Sequence, residues 1–440
     1  MSDNTLTETL RISIFTILII IQLRNFNTHQ KNTNNQEISH QITRLTNIGS
    51  ELNNLKIIEQ KFIIPADPVK LYPNPTILFW DSPYRGFNCL FEPLCGDGYN
   101  CDCRVGWWND DGEPLRKSDA VVISAVGNSK LEEKFDNGNA EHSLEIANFK
   151  NKIKQSRREH QLYVFFQSES PGMPIHQHDY HNFDNIFNAT LSYRLDSNYK
   201  VPYGSIGYLE KKDKWKLKPE NLDFNRKQHG VLSVISNCAS TYRNDLVKKL
   251  DSLIKLPNGD HGLSVFGHCS KLLSSNPKSS EIPRGSGIAE LSKTYQFYLA
   301  FENSKCKDYI TEKFFVNGIK NGLVPIVSGA DRKDYEQFVP GSAFMHVDDF
   351  GSVKELAEKV NYFLKNNTAY SEFFDWRIED FGDDSRLFVD NVDAVSTEWG
   401  WCQLCKDLNL IRSGDFQGLH VVKDLHDFWY GVEKEPVCEV

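Results

Sequence analysis

FENSKCKDYITEKFFVNGIKNGLVPIVSG, residues 301–329, closes one apolar run and opens into another through a polar turn. YQFYLAFEN (295–303) and GLVPIVSG (322–329) read as strands, and the stretch between them as a helix whose first turn holds Thr311, Glu312 and Lys313. Both runs are nearly all apolar, which marks strands buried on two faces, as in a parallel sheet covered by helices. A fold has no structural need to set Asn303, Tyr309, Glu312 and Lys313 around one such turn.

The same pattern extends in both directions. TILFWD (76–81), DAVVISAV (119–126), YVFFQSES (163–170) and ATLSYRLD (189–196) predict strands of a first α/β unit. GVLSVISN (230–237), GLSVFGHC (262–269) and AFMHVDD (343–349) join the opening pair as strands of a second. The boundary is expected in the charged, weakly periodic segment 211–230. Two α/β units in succession place a ligand cleft between them, at the carboxyl ends of the strands. Polar residues stand just past three of the runs: Ser168-Glu169-Ser170-Pro171, Ser236-Asn237-Cys238 with Arg243 beyond, and Glu302-Asn303-Ser304.

Lys313 and Arg243 both fall in opening turns of expected helices, where unpaired N–H groups and the positive dipole end favour a phosphate. On charge pattern alone, a surface lysine paired with Glu312 or Glu302 is the commoner arrangement. Neither a G-x-x-x-x-G-K-[ST] loop nor a G-x-G-x-x-G turn is present. Glu169 is held in a turn by Pro171, which suits a general base at a cleft rim as well as a turn acid with local hydrogen bonds. His176, His178 and His181 lack a matching fourth ligand for zinc, and no D-x-D pair follows an apolar run, so no metal site is expected.

The chain has 440 residues, enough for two domains plus tails, and a formal net charge of −9. That balance argues against a nucleic-acid binder. Of ten cysteines, Cys89, Cys95, Cys101 and Cys103 crowd one stretch, while Cys402, Cys405 and Cys438 lie near the end. Zinc ligation and disulfides both remain open, with no common zinc spacing present. Sequons at Asn188 and Asn366 are candidate glycosylation sites and, with the cysteines, lean toward an oxidising secretory lumen. The apolar stretch Ile12–Leu23 would span roughly 18 Å as a helix, and extending it to 6–26 reaches spanning length. A cleaved signal peptide would need an A-x-A site, yet the first alanine is Ala66, so an uncleaved anchor is expected. Ile38, Ile42, Leu45, Ile48, Leu52 and Leu55 mark a short heptad-like stem, a loose helical spacer or a dimer-forming coil.

The stretch FENS, DYITEK, GLVPIV, Tyr335-Glu336, Pro340 and Asp348-Asp349-Phe350 resembles the alpha-1,3-fucosyltransferases of glycosyltransferase family ten. Upstream SESP (168–171), FNATLSYRLDS (187–197), VPYG (201–204) and VISNC with Arg243 fall in the family's order, and FFDWR (373–377) and Cys402-Gln-Leu-Cys405 follow it. The resemblance covers roughly residues 160–405. It implies two Rossmann-like domains facing a cleft, the type B glycosyltransferase architecture, preceded by a membrane anchor and stem. The implied division is 1–26 cytoplasmic tail and signal anchor, 27–61 stem, 62–222 acceptor domain, 223–405 GDP-fucose domain and 406–440 extension.

The resemblance further implies an inverting transfer of fucose from GDP-fucose to a GlcNAc hydroxyl of glycoprotein N-glycans. No cofactor is obligatory, and divalent-cation stimulation is left open. Glu169 would be the general base, and Arg243 and Lys313 would stabilise the leaving diphosphate. Glu312 would bind the ribose, Tyr309 would lie by the guanine or ribose, and Asn303 and Asn237 would hold the nucleotide. Glu302 would touch the fucose or orient its neighbours. The cysteines before the first unit and the terminal C-x-x-C are similar to the core N-glycan subgroup, making the innermost GlcNAc the expected acceptor. Alternatives are an outer N-acetyllactosamine arm or a non-catalytic glycan-binding relative. The expected location is the Golgi membrane, single-pass type II, with the catalytic part in the lumen.

Overall fold

A computed structural model describes residues 71–80, 101–106, 113–124, 150–172, 180–204, 227–277, 287–377, 397–415, 421–432 and 435–438, with isolated positions between them. The expected anchor and stem, most of the boundary segment 211–230, Cys89, Cys95, His176 and His178 lie outside the described residues. By its contacts the chain divides into Met1–Val69 and Lys70–Val440, and every described element belongs to the second unit. Among the described residues no helix is long and apolar enough to cross a membrane.

Strands β1 (Thr76–Trp80), β2 (Asp102–Gly106), β3 (Ala120–Ser124), β4 (Leu162–Gln167), β5 (Ala189–Ser192) and β6 (Tyr199–Lys200) form one sheet, ordered β2-β1-β3-β4-β5-β6. Strands β7 (Val231–Val234), β8 (Leu263–Phe266), β9 (Phe297–Phe301), β10 (Val324–Ser328) and β11 (Met345–His346) form another, ordered β11-β10-β9-β7-β8. Every pairing within both sheets is parallel. Each has the doubly wound order, in which the second strand lies outside the first and later strands step away on the other side. The strand direction of travel reverses between β1 and β3 in one sheet and between β7 and β9 in the other.

All the apolar runs named from sequence are strands, and β2 and β6 were missed. Both are edge strands: β2 is half solvated and carries Asp102 and Arg104, and β6 has two residues. An edge strand has less need of continuous apolar residues, so the sequence signal weakens there.

The inner strands alternate between two buried faces. From β9, Phe297, Leu299 and Phe301 enter a core with the helices Thr241–Leu253 and Val353–Lys365. Tyr298 and Ala300 face Phe314, Phe315 and Ile319 of the π-helix Lys313–Lys320. Each such large side chain contributes roughly 1.5–3 kcal/mol on burial.

The first sheet is covered partly by distant chain. Helix Thr397–Ser413 lays Trp401, Leu404 and Leu408 against Ile77, Val122 and Val164. Its Cys405 is bonded to Cys101, its Asp407 accepts from Tyr199 Oη at 3.0 Å, and its Arg412 grips Asp119 through two nitrogens at 2.9 and 2.7 Å. On the opposite face, Trp429 of helix Leu425–Tyr430 meets Phe165 and Tyr193 edge-on. The expected domain end at 405 therefore falls inside a helix, and the supposed extension 406–440 supplies core to the first sheet. A parallel sheet buried on both faces needs helices on both, and here the chain's end provides them.

The described cysteines are in disulfides. Cys101–Cys405, Cys238–Cys269 and Cys306–Cys438 are bonded, Cys103 and Cys402 are also in disulfides, and among the described residues no cysteine is free. Cys405 pairs across 304 residues rather than with Cys402 three positions away.

Candidate active site

The carboxyl edge of the second sheet carries the cations. Its winding reverses between β7 and β9, where a ligand crevice is expected. Arg243 stands in the first turn of the helix after β7, and Glu302 directly follows β9. Cys238–Cys269 ties the loops following β7 and β8 at this same edge.

Glu302 is fully buried. Its carboxylate accepts from the Thr311 backbone N–H at 2.8 Å, from Thr311 Oγ1 at 2.8 and 2.9 Å, and faces Lys313 Nζ at 3.0 Å. Gly329 makes room for it, since a Cβ there would meet Glu302 Cβ at 2.9 Å. Burial pushes the Glu302 carboxyl up, and the Lys313 charge opposes that shift. Burial works against the Lys313 charge, but Glu302 and Glu312 more than offset it and hold the ammonium above its ordinary value. Lys313 Nζ also donates to Thr311 Oγ1 at 2.7 Å and lies 3.3 Å from the exposed Glu312 carboxylate. The helix starts at Lys313, two residues later than the sequence suggests, because Thr311 is held by Glu302.

Arg243 is buried, with one guanidinium nitrogen donating to the Asn237 carbonyl. Among the described residues its Nε has no hydrogen-bond partner although it is buried. Burial lowers its pKa, and Glu302 is the chief opposing charge. A buried guanidinium with an orphaned N–H is costly unless an anion completes it. The Asn237 side chain is exposed and accepts from Ala239 N at 2.9 Å, while Asn303 Oδ1 accepts from Ser304 Oγ at 3.2 Å.

The first sheet contributes Glu169, two residues past β4 and half-buried. Its backbone N–H donates to Gln167 Oε1 at 3.0 Å, and its Oε2 accepts from Tyr309 Oη at 2.9 Å. Next to it, Ser170 Oγ donates to Ser304 Oγ at 2.8 Å, and Tyr203 Oη donates to the Ser168 carbonyl at 2.8 Å. The turns after β4 and β9 therefore touch directly.

Tyr309, expected beside the guanine or ribose, has its ring buried in the first sheet's core beside Cys306, Tyr193 and Trp429. Asp308 causes this: it turns the chain with φ +59°, and its carboxylate accepts from Leu195 N at 3.0 Å. Tyr309 interacts electrostatically with Glu169 and Glu302, and Arg243 with Glu302 and Tyr309. Glu169, Glu302, Arg243 and Lys313 thus gather around one loop. Sequence reasoning named Ser304 and Thr311 but gave neither a role; only their partners, Ser170 and Glu302, reveal it.

The sequon residues are both half-buried. Asn188 Oδ1 accepts from Tyr163 N at 2.9 Å and from Arg157, stitching β4 to the residue before β5. Asn366 caps the helix Asn367–Ser371 through Ala369 N at 3.0 Å. Of the three histidines, His181 meets Asp184 and Asp424, their ligand atoms lying within 4.8 Å of one another. Both carboxylates already serve the backbone, accepting from Leu425 N and Asp427 N.

Two doubly wound parallel sheets, with cations at the carboxyl edge of one and a turn-held glutamate at that of the other, make an α/β glycosyltransferase fold. A family model described as "Fucosyltransferase, N-terminal" matches residues 72–204, and "Glycosyltransferase family 10 (fucosyltransferase) C-term" matches 224–428. The human 4-galactosyl-N-acetylglucosaminide 3-alpha-L-fucosyltransferase FUT6 is 31% identical over 309 residues, covering 69% of this chain and 73% of its own length. The chain belongs to glycosyltransferase family 10, the fucosyltransferases.

The Caenorhabditis elegans alpha-(1,3)-fucosyltransferase fut-1 is 34% identical, over 56% of this chain and 53% of its own. The Drosophila melanogaster glycoprotein 3-alpha-L-fucosyltransferase A is 33% identical, over 56% and 43%. The chain thus matches about half the length of these two relatives. A crystal structure of an alpha1,3-fucosyltransferase with GDP-fucose has a TM-score of 0.49 at 15% identity, covering 82% of this chain and 96% of that one.

Proposed function

We propose that this chain is an inverting alpha-1,3-fucosyltransferase that moves fucose from GDP-fucose to a GlcNAc hydroxyl of glycoprotein N-glycans, at the innermost core GlcNAc. The observation that carries this reading is the gathering of a base and a cation pair around the 302–313 loop. Glu169 offers a carboxylate with one oxygen on Tyr309, and Arg243 and Lys313 offer positive charge at the other sheet's carboxyl edge.

In this mechanism residues 71–204 take the acceptor and the second sheet takes GDP-fucose. Glu169 removes the proton from the acceptor hydroxyl as that oxygen bonds to fucose C1, from the face opposite GDP. The bond from C1 to the diphosphate oxygen breaks, and GDP leaves with its electron pair. Arg243 and Lys313 meet the growing negative charge, which is the largest kind of term in such sites. Lys313 is exchanged from Glu302 and Glu312 toward the diphosphate, and Arg243 finds the anion its Nε lacks. Glu312, exposed beside Lys313, and the side chains of Asn237 and Asn303 remain for the ribose and base.

A glycoprotein acceptor is supported by likeness to the Drosophila glycoprotein enzyme, and the core position by the cysteine pattern alone. Its test is transfer of radiolabelled fucose to a trimmed core glycopeptide and to N-acetyllactosamine. Label on the glycopeptide supports it; label on lactosamine alone replaces it with Lewis-type transfer. Absence of transfer to either, with GDP still bound, points to a non-catalytic relative. The disulfides fit a lumenal setting, and we place the protein in the Golgi membrane by its 6–26 anchor. Protease protection in intact microsomes checks that topology.

A further inference from the structure

Tyr309 Oη donates to Glu169 Oε2 at 2.9 Å, and among the described residues Oε1 carries no hydrogen bond. We propose that Tyr309 is the positioning residue of the catalytic base: it holds Oε2 so that Oε1 is presented to the acceptor hydroxyl. The proposal rests on Glu169 being that base.

The phenol is fixed from several sides. Its ring lies edge-on to Tyr193 at 5.0 Å and to Tyr203 at 6.2 Å, and Tyr203 itself donates to the carbonyl of Ser168, beside Glu169. Its backbone N–H donates to the Cys306 carbonyl at 3.1 Å. Cys306 is bonded to Cys438, and Lys307 N donates to the Val437 carbonyl at 2.8 Å, so the chain's end clamps the loop. On the carboxylate's own side, Pro171 and the Ser170–Ser304 bond fix the turn.

A half-exposed glutamate otherwise samples several rotamers, and a base is useful only within hydrogen-bond reach of its proton. A neutral donor on one oxygen removes that freedom while leaving the other oxygen's lone pairs for the acceptor. Burial raises the phenol pKa well above its ordinary value, so Tyr309 remains a donor and does not compete for the proton. The same loop carries Lys313, four residues on, so one rigid segment sets both the base and the leaving-group cation.

The test uses the full chain with Tyr309→Phe. Losing a hydrogen bond to a charged group should lower kcat roughly 10- to 150-fold, with the GDP-fucose KM and the GDP Kd unchanged. In a Glu169→Gln background the same substitution should change transfer no further, because the phenol acts through that carboxylate. A rise in GDP Kd at unchanged kcat would make Tyr309 a donor contact and overturn the proposal. So would a loss that adds in full to that of Glu169→Gln. If the phenylalanine chain does not fold, p-aminophenylalanine and p-methylphenylalanine at 309 replace it: the amino ring should restore transfer and the methyl ring should not, and equal rates overturn the idea. Wild-type transfer by Glu169→Gln would remove the base reading itself, a result distinct from failure of the phenol alone.

Discussion

Two glutamates follow inner strands of matching sheets and have opposite environments. Glu302 comes one residue after β9, is fully buried, and has its carboxylate filled by a backbone N–H, a hydroxyl and an ammonium. Glu169 comes two residues after β4, is half-buried, and has one hydrogen bond to a phenol. A single residue of offset past the strand separates a carboxylate spent on holding structure and charge from one left for chemistry. Successive residues leaving a strand point to opposite faces.

That contrast is broken most directly at Glu169. Glu169→Gln should lower transfer about 10²- to 10⁴-fold, with GDP affinity and melting temperature unchanged; calorimetry beside a radiolabel assay checks this. Lys313→Met should act on both chemistry and fold. Loss of leaving-group stabilisation should cost about 10²- to 10³-fold in kcat. The uncompensated Glu302 should also cost about 3–5 kcal/mol of stability, read by denaturant unfolding. If Lys313→Met left stability unchanged, Glu302 would not depend on it as a counter-ion.

Thr311→Val is a finer probe. It removes two contacts to Glu302 but keeps the backbone N–H, so unfolding should become easier by about 1–2 kcal/mol. Transfer should fall less than in Lys313→Met.

The smallest effect separates two buried lysines. Lys227 donates to the carbonyls of Ser292, Tyr295 and Gly322, with no carboxylate among its described partners, and burial lowers it to about 8 from 10.5. Its charge therefore costs stability below pH 8, and that cost is relieved as pH rises from about 8 toward its ordinary value. Lys313, raised by its carboxylates, contributes stability below its ordinary value and loses it only as pH rises through its raised one. Between pH 8 and 10, wild-type stability should gain relative to Lys227→Met in urea titrations. A difference constant with pH would mean Lys227 keeps its ordinary value.

Much of this was legible from local sequence. Apolar runs such as VLSV and FYLAF name buried strands because a parallel strand covered on both faces tolerates little else. Edge strands β2 and β6 escaped for the converse reason. At the site, the turn placed Glu302, Glu312 and Lys313 together, and Lys313 lies 3.0 Å from one carboxylate and 3.3 Å from the other, since a strand end and the start of the next helix fix all three. Tyr309 did not yield to this reasoning. Its direction depends on a left-handed Asp308 held by Leu195, 113 residues earlier in the chain.

The sequence by itself determined the family, the strands other than β2 and β6, the carboxyl-edge turns and the cation-bearing residues. All are set by local periodicity or by short motifs. Tertiary structure alone decided that Cys405 meets Cys101, that helices Thr397–Ser413 and Leu425–Tyr430 cover the first sheet, and that Tyr309 turns to Glu169. The Tyr309–Glu169 contact joins residues 140 positions apart and the Cys101–Cys405 bond residues 304 apart. At that separation no local pattern constrains the partner; packing and hydrogen-bond satisfaction in the folded chain select it.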